Sequence, residues 1–178
     1  ALYRAKAEGR GRYSFYDPGL DETLQQRRAL THELRAAIAA GALALHFQPL
    51  YDADGRTLRG YEALVRWPHP ARGLVPPAEF IALAEETGMI DELGRWVLNQ
   101  ACAEAATWPA PLGVAVNLSA AQFRDTAGLL RDVDRALATS GLAPQRLELE
   151  ITESLLMGNT EQALRALNSL HARGVRIA

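Results

Sequence analysis

Three short segments hold oxygen donors in a repeated arrangement: Tyr61-Glu62-Ala63-Leu64-Val65-Arg66-Trp67, Val116-Asn117-Leu118-Ser119 and Leu147-Glu148-Leu149-Glu150-Ile151-Thr152-Glu153. Each reads as a β-strand with a polar or acidic residue toward its C-terminal end, and helical stretches lie between them. Strands that each deliver an oxygen ligand to one end of a sheet are how an α/β barrel assembles a divalent-metal site. Glu62, Asn117 and Glu150 are hard oxygen donors, suited to Mg²⁺, Mn²⁺ or Ca²⁺ more than to zinc.

Strand alternation decides which way these side chains point. Tyr61, Ala63, Val65 and Trp67 share one face, and Glu62, Leu64 and Arg66 share the other. Val114, Val116 and Leu118 oppose Ala115, Asn117 and Ser119; Leu147, Leu149 and Ile151 oppose Glu148, Glu150 and Thr152. The apolar set packs against covering helices, so the polar set faces the barrel interior. A carboxylate there needs compensation, because desolvating an unpaired ion costs several kcal/mol or more. Two sources fit the residues alone: a bound cation, or arginines, with Glu62 paired to Arg66 and Glu150 to another arginine inside a plain core. Glu148, deeper in its strand than Glu150, fits the arginine-paired role best.

The elements that must position these residues follow from periodicity. Residues 1–8 resemble a helix end, and the Asp17-Pro18-Gly19 turn places a domain boundary, separating 1–19 from 20–178. A helix is expected over 21–40, stopped by Gly41. Leu43–Leu50 and about Thr57–Trp67 form a hairpin around Asp52-Ala53-Asp54-Gly55-Arg56. An irregular loop, Pro68–Pro77, leads to helices at Ala78–Thr87 and about Asp91–Thr107. The strand Gly113–Leu118, a helix at about Thr126–Ser140, the strand Arg146–Thr152, a helix at Thr160–Ala172 and a strand beginning at Val175 complete the chain. Strand and helix alternate after the hairpin, which implies parallel strands with right-handed crossovers.

Composition excludes several classes. The chain has 178 residues, 48% hydrophobic and 22% charged, as in an ordinary globular protein. A net charge of −2 gives no support for DNA or RNA polymers or for membrane surfaces as partners. No apolar run approaches the ~20 residues that span a bilayer, and the N-terminus lacks a signal-peptide core, so a cytoplasmic setting is expected. Cys102, the only cysteine, lies in a helical run and reads as a buried apolar side chain. Lys6 is the only lysine among 19 basic residues, so no later lysine can serve as a catalytic ammonium.

At this point the residues resemble a known family. Glu62-Ala63-Leu64 followed by Val65-Arg66-Trp67 is similar to the signature of EAL domains, which hydrolyse the bacterial second messenger cyclic di-GMP. The likeness extends through His69-Pro70, Gly73, Pro77, Phe80-Ile81, Ala84-Glu85-Glu86, Gly88, Asn117-Leu118-Ser119, Gln122-Phe123 and Glu150-Ile151-Thr152-Glu153-Ser154, covering roughly residues 25–178. The first twelve residues, Ala1 to Arg12, resemble the tail of a GGDEF (diguanylate cyclase) domain, with Lys6 and Arg10 at positions that reach nucleotide phosphates in that family.

The resemblance implies a TIM-like (β/α) barrel with an antiparallel first strand. It implies Glu62, Asn117 and Glu150 as metal ligands, Gln48, Leu64 and Arg66 as substrate contacts, and Glu153 as the anchor of a loop beside the site. It implies hydrolysis of cyclic di-GMP to linear pGpG with two divalent ions, Mg²⁺ or Mn²⁺, while His69 matches a structural position. The family pattern continues past Ala178 with an Asp-Asp-Phe-Gly segment, a lysine and a further glutamate. On that basis 20–178 is expected to be about two-thirds of an EAL domain, incomplete and inactive alone, with exposed strand edges that invite pairing with another copy. The alternative is a non-catalytic cyclic di-GMP receptor or protein-interaction module.

Overall fold

The computed structural model of the protein describes residues 18–151 and 160–178. Lys6, Arg10 and Glu153 lie outside the described residues. The chain divides into two compact units, Ala1–Leu34 and Arg35–Ala178. Of the first, the described part is the start of helix α1 (Pro18–Ala40). On that part Leu30 and Leu34 are buried, as helical spacing of apolar residues requires, whereas Leu24, spaced with them, is exposed.

In the second unit the period-2 segments become a six-stranded sheet of order β1-β2-β4-β5-β6, with β3 paired to β2. Its strands are β1 (Ala44–Tyr51), β2 (Leu58–His69), β3 (Gly73–Val75), β4 (Gly113–Leu118), β5 (Leu147–Ile151) and β6 (Arg176–Ile177). β1 runs antiparallel to β2, with Gln48 opposite Glu62 and His46 opposite Leu64. β2, β4, β5 and β6 are mutually parallel. The hairpin turn closes through Asp52 N–H to Thr57 O at 2.9 Å, while Asp54 Oδ1 accepts Arg56 N–H at 2.9 Å.

Helices α2 (Pro77–Thr87), α3 (Ile90–Ala106), α4 (Thr126–Ser140) and α5 (Thr160–Ala172) connect the strands. α3 packs on β4 and α4, and α4 packs on α5. The core lies between these helices and the expected apolar faces: Ala63 and Trp67 of β2, Val114, Val116 and Leu118 of β4, and Leu147 and Leu149 of β5 are all buried. Trp67 meets Phe80 of α2 edge-on at 5.9 Å, and Trp108 meets Phe47 at 5.3 Å and Tyr61 at 4.8 Å, which holds the hairpin from the helix side. Arg146 donates to Ala105 O at 2.6 Å and Trp108 O at 3.0 Å, satisfying carbonyls at and just past the C-terminal end of α3, and to Leu112 O at 2.7 Å at the entry to β4.

Two segments differ from expectation. The stretch Pro68–Pro77 is a small hairpin: β2 continues to His69, and β3 returns along it with Trp67 opposite Val75. Prolines at 68 and 70 hide the strand pattern, and the turn is made by His69, whose Nδ1 accepts Ala71 N–H at 3.1 Å and Arg72 N–H at 3.2 Å. That use of Nδ1 agrees with a structural histidine. Residues Ala120–Asp125 form a 3-10 helix, capped by Ser119, where the expectation had no element.

Cys102 is fully buried in α3, and burial pushes its thiol up to about 12. The thiol is therefore expected to be inert in the folded chain. Titration with an aromatic disulfide at mildly alkaline pH should label it at least ~10³-fold more slowly than in denaturant, since labelling must await opening of the core. Equal rates in both conditions would refute this packing of α3.

Candidate metal and phosphodiester site

β4 brings the oxygen donors together because it is flanked by β2 and β5. In the β2–β4 ladder Glu62 lies level with Ala115, and in the β4–β5 ladder Ala115 lies level with Glu148 and Asn117 with Glu150. Ala115, buried and small, thus separates Glu62 from Glu148, and Asn117 sits one pleat nearer the C-terminal end of the sheet. The Asn117 amide Nδ2 donates to Glu62 Oε1 at 2.7 Å. Turning that amide about its last torsion would present Oδ1 to the same place.

The charges around these groups separate two kinds of carboxylate. Glu148 has counter-ions: Arg59 Nη2 and Arg176 Nε each lie 3.3 Å from its Oε2. Glu62 and Glu150 have none among the described residues. The expected alternative of a Glu62–Arg66 pair does not form; Arg66 Nη1 donates instead to Val65 O at 2.9 Å. Burial, then the neighbouring charges of Glu62 and Glu148, hold the Glu150 carboxyl above its ordinary value. Among the described residues no three His, Cys, Asp or Glu side chains converge as a ready-made metal centre. The donor set is two carboxylates and an amide, all hard oxygen ligands, with uncompensated negative charge. That chemistry fits a hard divalent cation completed by water or other oxygens.

Gln48 is exposed on β1 opposite Glu62, so it stands on the interior face beside the carboxylate. Leu64 and Arg66 are half-buried on the same face of β2. Both line a cleft of about 320 Å³ whose wall also includes Asn117, Ser119, Glu85 and Gln122. The hydrogen bond to Val65 engages one of the five N–H donors of Arg66.

Sequence reasoning assigned no role to Glu85 or Gln122. The Ser119 hydroxyl donates to Glu85 Oε1 at 2.6 Å, and Gln122 Oε1 accepts Ser119 N–H at 3.0 Å. The Ser-x-x-Gln spacing after a strand is a capping-box signal and was readable. Glu85, on a separate helix, carried no such local signal.

Because the folded chain holds the Glu150 proton more tightly than the unfolded chain does, its ionised form weakens the fold. The penalty is absent below the ordinary carboxylate range, builds as pH rises through the interval up to the raised value, and is constant above it. Glu150→Gln is therefore expected to raise the thermal midpoint near pH 7 in the absence of divalent metal, and to have no such effect near pH 4. The half-exposed setting keeps the gain under about 1 kcal/mol. A midpoint lowered at neutral pH would contradict it.

Oxygen donors toward the C-terminal ends of the parallel ladders that join β2, β4 and β5, with helices on the opposite face, define a domain of the (β/α)-barrel class. Within that class, the EAL domain model matches residues 31–178, and the chain belongs to the EAL domain family. It is 52% identical over 178 residues to an uncharacterized signaling protein of Caulobacter vibrioides, covering all of this chain and 22% of that protein. It is 42% identical over 182 residues to the bifunctional diguanylate cyclase/cyclic di-GMP phosphodiesterase MucR of Pseudomonas aeruginosa, covering all of this chain and 26% of that protein. The solved structure of the PaMucR phosphodiesterase in complex with c-di-GMP superposes with a TM-score of 0.79 at 44% identity, over 84% of this chain and 62% of that one. The chain thus spans about a quarter of the length of these curated relatives. The described strands form an open part of the TIM-like barrel of EAL domains, and the antiparallel β1 is as expected. No helix among the described residues is long and apolar enough to cross a membrane.

Proposed function

We propose that this chain carries the metal-binding and substrate-binding strands of a cyclic di-GMP phosphodiesterase that yields linear pGpG. The observation that carries the reading is the set Glu62, Asn117 and Glu150: two carboxylates without counter-ions among the described residues, beside an amide at the same end of the sheet. The match to MucR, named as a phosphodiesterase, supports the substrate. Residues 1–19 are proposed as the tail of a preceding GGDEF domain, and 20–178 as the N-terminal part of the EAL domain.

In the reaction, water adds across one phosphodiester: its oxygen bonds phosphorus, the P–O3′ bond breaks, and a proton passes to the leaving 3′ oxygen. Mg²⁺ or Mn²⁺, bound as a pair in the complete domain, would polarise the phosphoryl oxygens and acidify a bound water. Glu62, Asn117 and Glu150 supply the ligands from this chain. Arg66 offers its remaining guanidinium donors to a phosphate, for which its rigid fork is suited. Gln48 hydrogen-bonds the nucleotide beside Glu62, and Leu64 gives it an apolar contact.

The test is turnover of cyclic di-GMP with Mg²⁺ or Mn²⁺, by this chain and by a form extended through the complete EAL domain. β1 and β6 stand at the two ends of the sheet, so the form with the complete barrel is expected to be the active one. Production of pGpG, abolished by a chelator, supports the reading. Tight nucleotide binding without turnover in the extended form overturns it in favour of a receptor.

A further inference from the structure

The end of β4 is held from behind by groups that do not belong to the ligand set. Asn117 is followed by buried Leu118 and then by Ser119, whose hydroxyl donates to Glu85 Oε1 on α2 at 2.6 Å. The same Oγ accepts Ala121 N–H at 3.1 Å, and Ser119 N–H goes to Gln122 at 3.0 Å. Gln122 is 5% exposed and lies against Gly94 of α3, where an added Cβ would overlap its Nε2 and sit 3.0 Å from its Cδ. Capping of the 3-10 helix is complete with Ser119 and Gln122 alone. The bond to Glu85 adds nothing to that cap. It crosses 34 residues of sequence and is of the strong, short O–H···O⁻ kind.

We propose that Glu85 is a positioning residue for the metal site: through the Ser119 hydroxyl it fixes the segment that presents Asn117. This rests on the proposed function. Glu85, Ser119 and Asn117 border one cleft, so a shift of Ser119 reaches Asn117 through a single intervening residue. Groups that orient a metal ligand typically change metal affinity by about 10–100-fold when removed.

The test uses the form extended through the complete EAL domain. Mn²⁺ binding is followed by electron paramagnetic resonance, alongside the Mn²⁺ requirement for cyclic di-GMP hydrolysis and the thermal midpoint. Glu85→Ala is expected to weaken Mn²⁺ binding by about 10–100-fold, with activity restored by excess Mn²⁺ and an unchanged KM for the nucleotide at saturating metal. Glu85→Gln keeps an oxygen acceptor for the hydroxyl and is expected to stay within about threefold of the wild type. Unaltered Mn²⁺ binding by Glu85→Ala overturns the proposal, as does an activity loss that excess Mn²⁺ does not restore. If Glu85→Ala does not fold, Ser119→Ala, which removes only the hydroxyl, must show the same weakened binding or the proposal fails. A wild type that binds Mn²⁺ and shows the Glu85 effect without hydrolysis refutes the phosphodiesterase reading and upholds this one. A wild type that binds no Mn²⁺ refutes both.

Discussion

In the form extended through the complete EAL domain, Glu62→Gln is expected to lower the proposed cyclic di-GMP turnover by on the order of 10³-fold while leaving the fold intact. The glutamine keeps an oxygen at the position where Glu62 accepts the Asn117 amide, so the 2.7 Å hydrogen bond has a neutral replacement. What disappears is one of the two carboxylate charges that have no counter-ion among the described residues, and its loss also relieves the repulsion that Glu62 exerts on Glu150. Stability should therefore hold or rise as activity collapses. A ligand contributes more than the groups that orient it, which places the effect above the about 10–100-fold typical of those groups. Glu148→Gln is the matched comparison. It sits at the same level of the sheet but is tied to Arg59 and Arg176, so its replacement should cost about 1–2 kcal/mol of stability with far less effect on turnover. Retention of turnover within about tenfold in Glu62→Gln, or similar losses for both variants, would remove Glu62 from the metal set.

That contrast between Glu62 and Glu148 also marks how far the sequence could be read. Alternation placed both on the interior face, and strand depth favoured Glu148 as the arginine-paired one, which the structure bears out. The partners themselves were not legible: Arg59 is 89 residues from Glu148 and reaches it only because β2 and β5 flank β4. The same holds for Glu85 and Ser119, joined across the α2–β4 boundary. Features governed by local chemistry read well, including the Asp-Gly hairpin turn, the helices over Thr126–Ser140 and Thr160–Ala172, and the strand Gly113–Leu118. β3 was missed because three residues bracketed by prolines show no usable period. Its pairing is stabilised by the burial of Trp67 and Val75, a tertiary effect. The roles of Gln48, Leu64 and Arg66 came from resemblance, and the geometry places them on one face beside Glu62 without itself assigning contacts.

The position with the largest expected effect on stability carries no functional group. Gly60 faces Gly113 across the β2–β4 ladder, and a Cβ on Gly60 would overlap the Gly113 carbonyl oxygen and lie 2.7 Å from its carbon and 2.8 Å from its nitrogen. These are backbone atoms of a neighbouring strand, so no rotamer change can yield. Either the strands part or the register slips. Gly60→Ala is expected to cost about 3–5 kcal/mol, at the upper end for a single substitution, and to lower the thermal midpoint by on the order of 10 °C. Gly55→Ala supplies the control: Gly55 has φ +69° in the hairpin turn, but nothing lies within 4 Å of an added Cβ, so only the backbone conformation is penalised, by about 1–2 kcal/mol. A Gly60 loss no larger than that of Gly55 would rule out the close approach. The same clash bears on the site, because Gly60 and Glu62 occupy one face of β2 two residues apart. Parting β2 from β4 at Gly60 and Gly113 moves Glu62 away from Asn117, so Gly60→Ala should also weaken metal binding in whatever fraction of the protein remains folded.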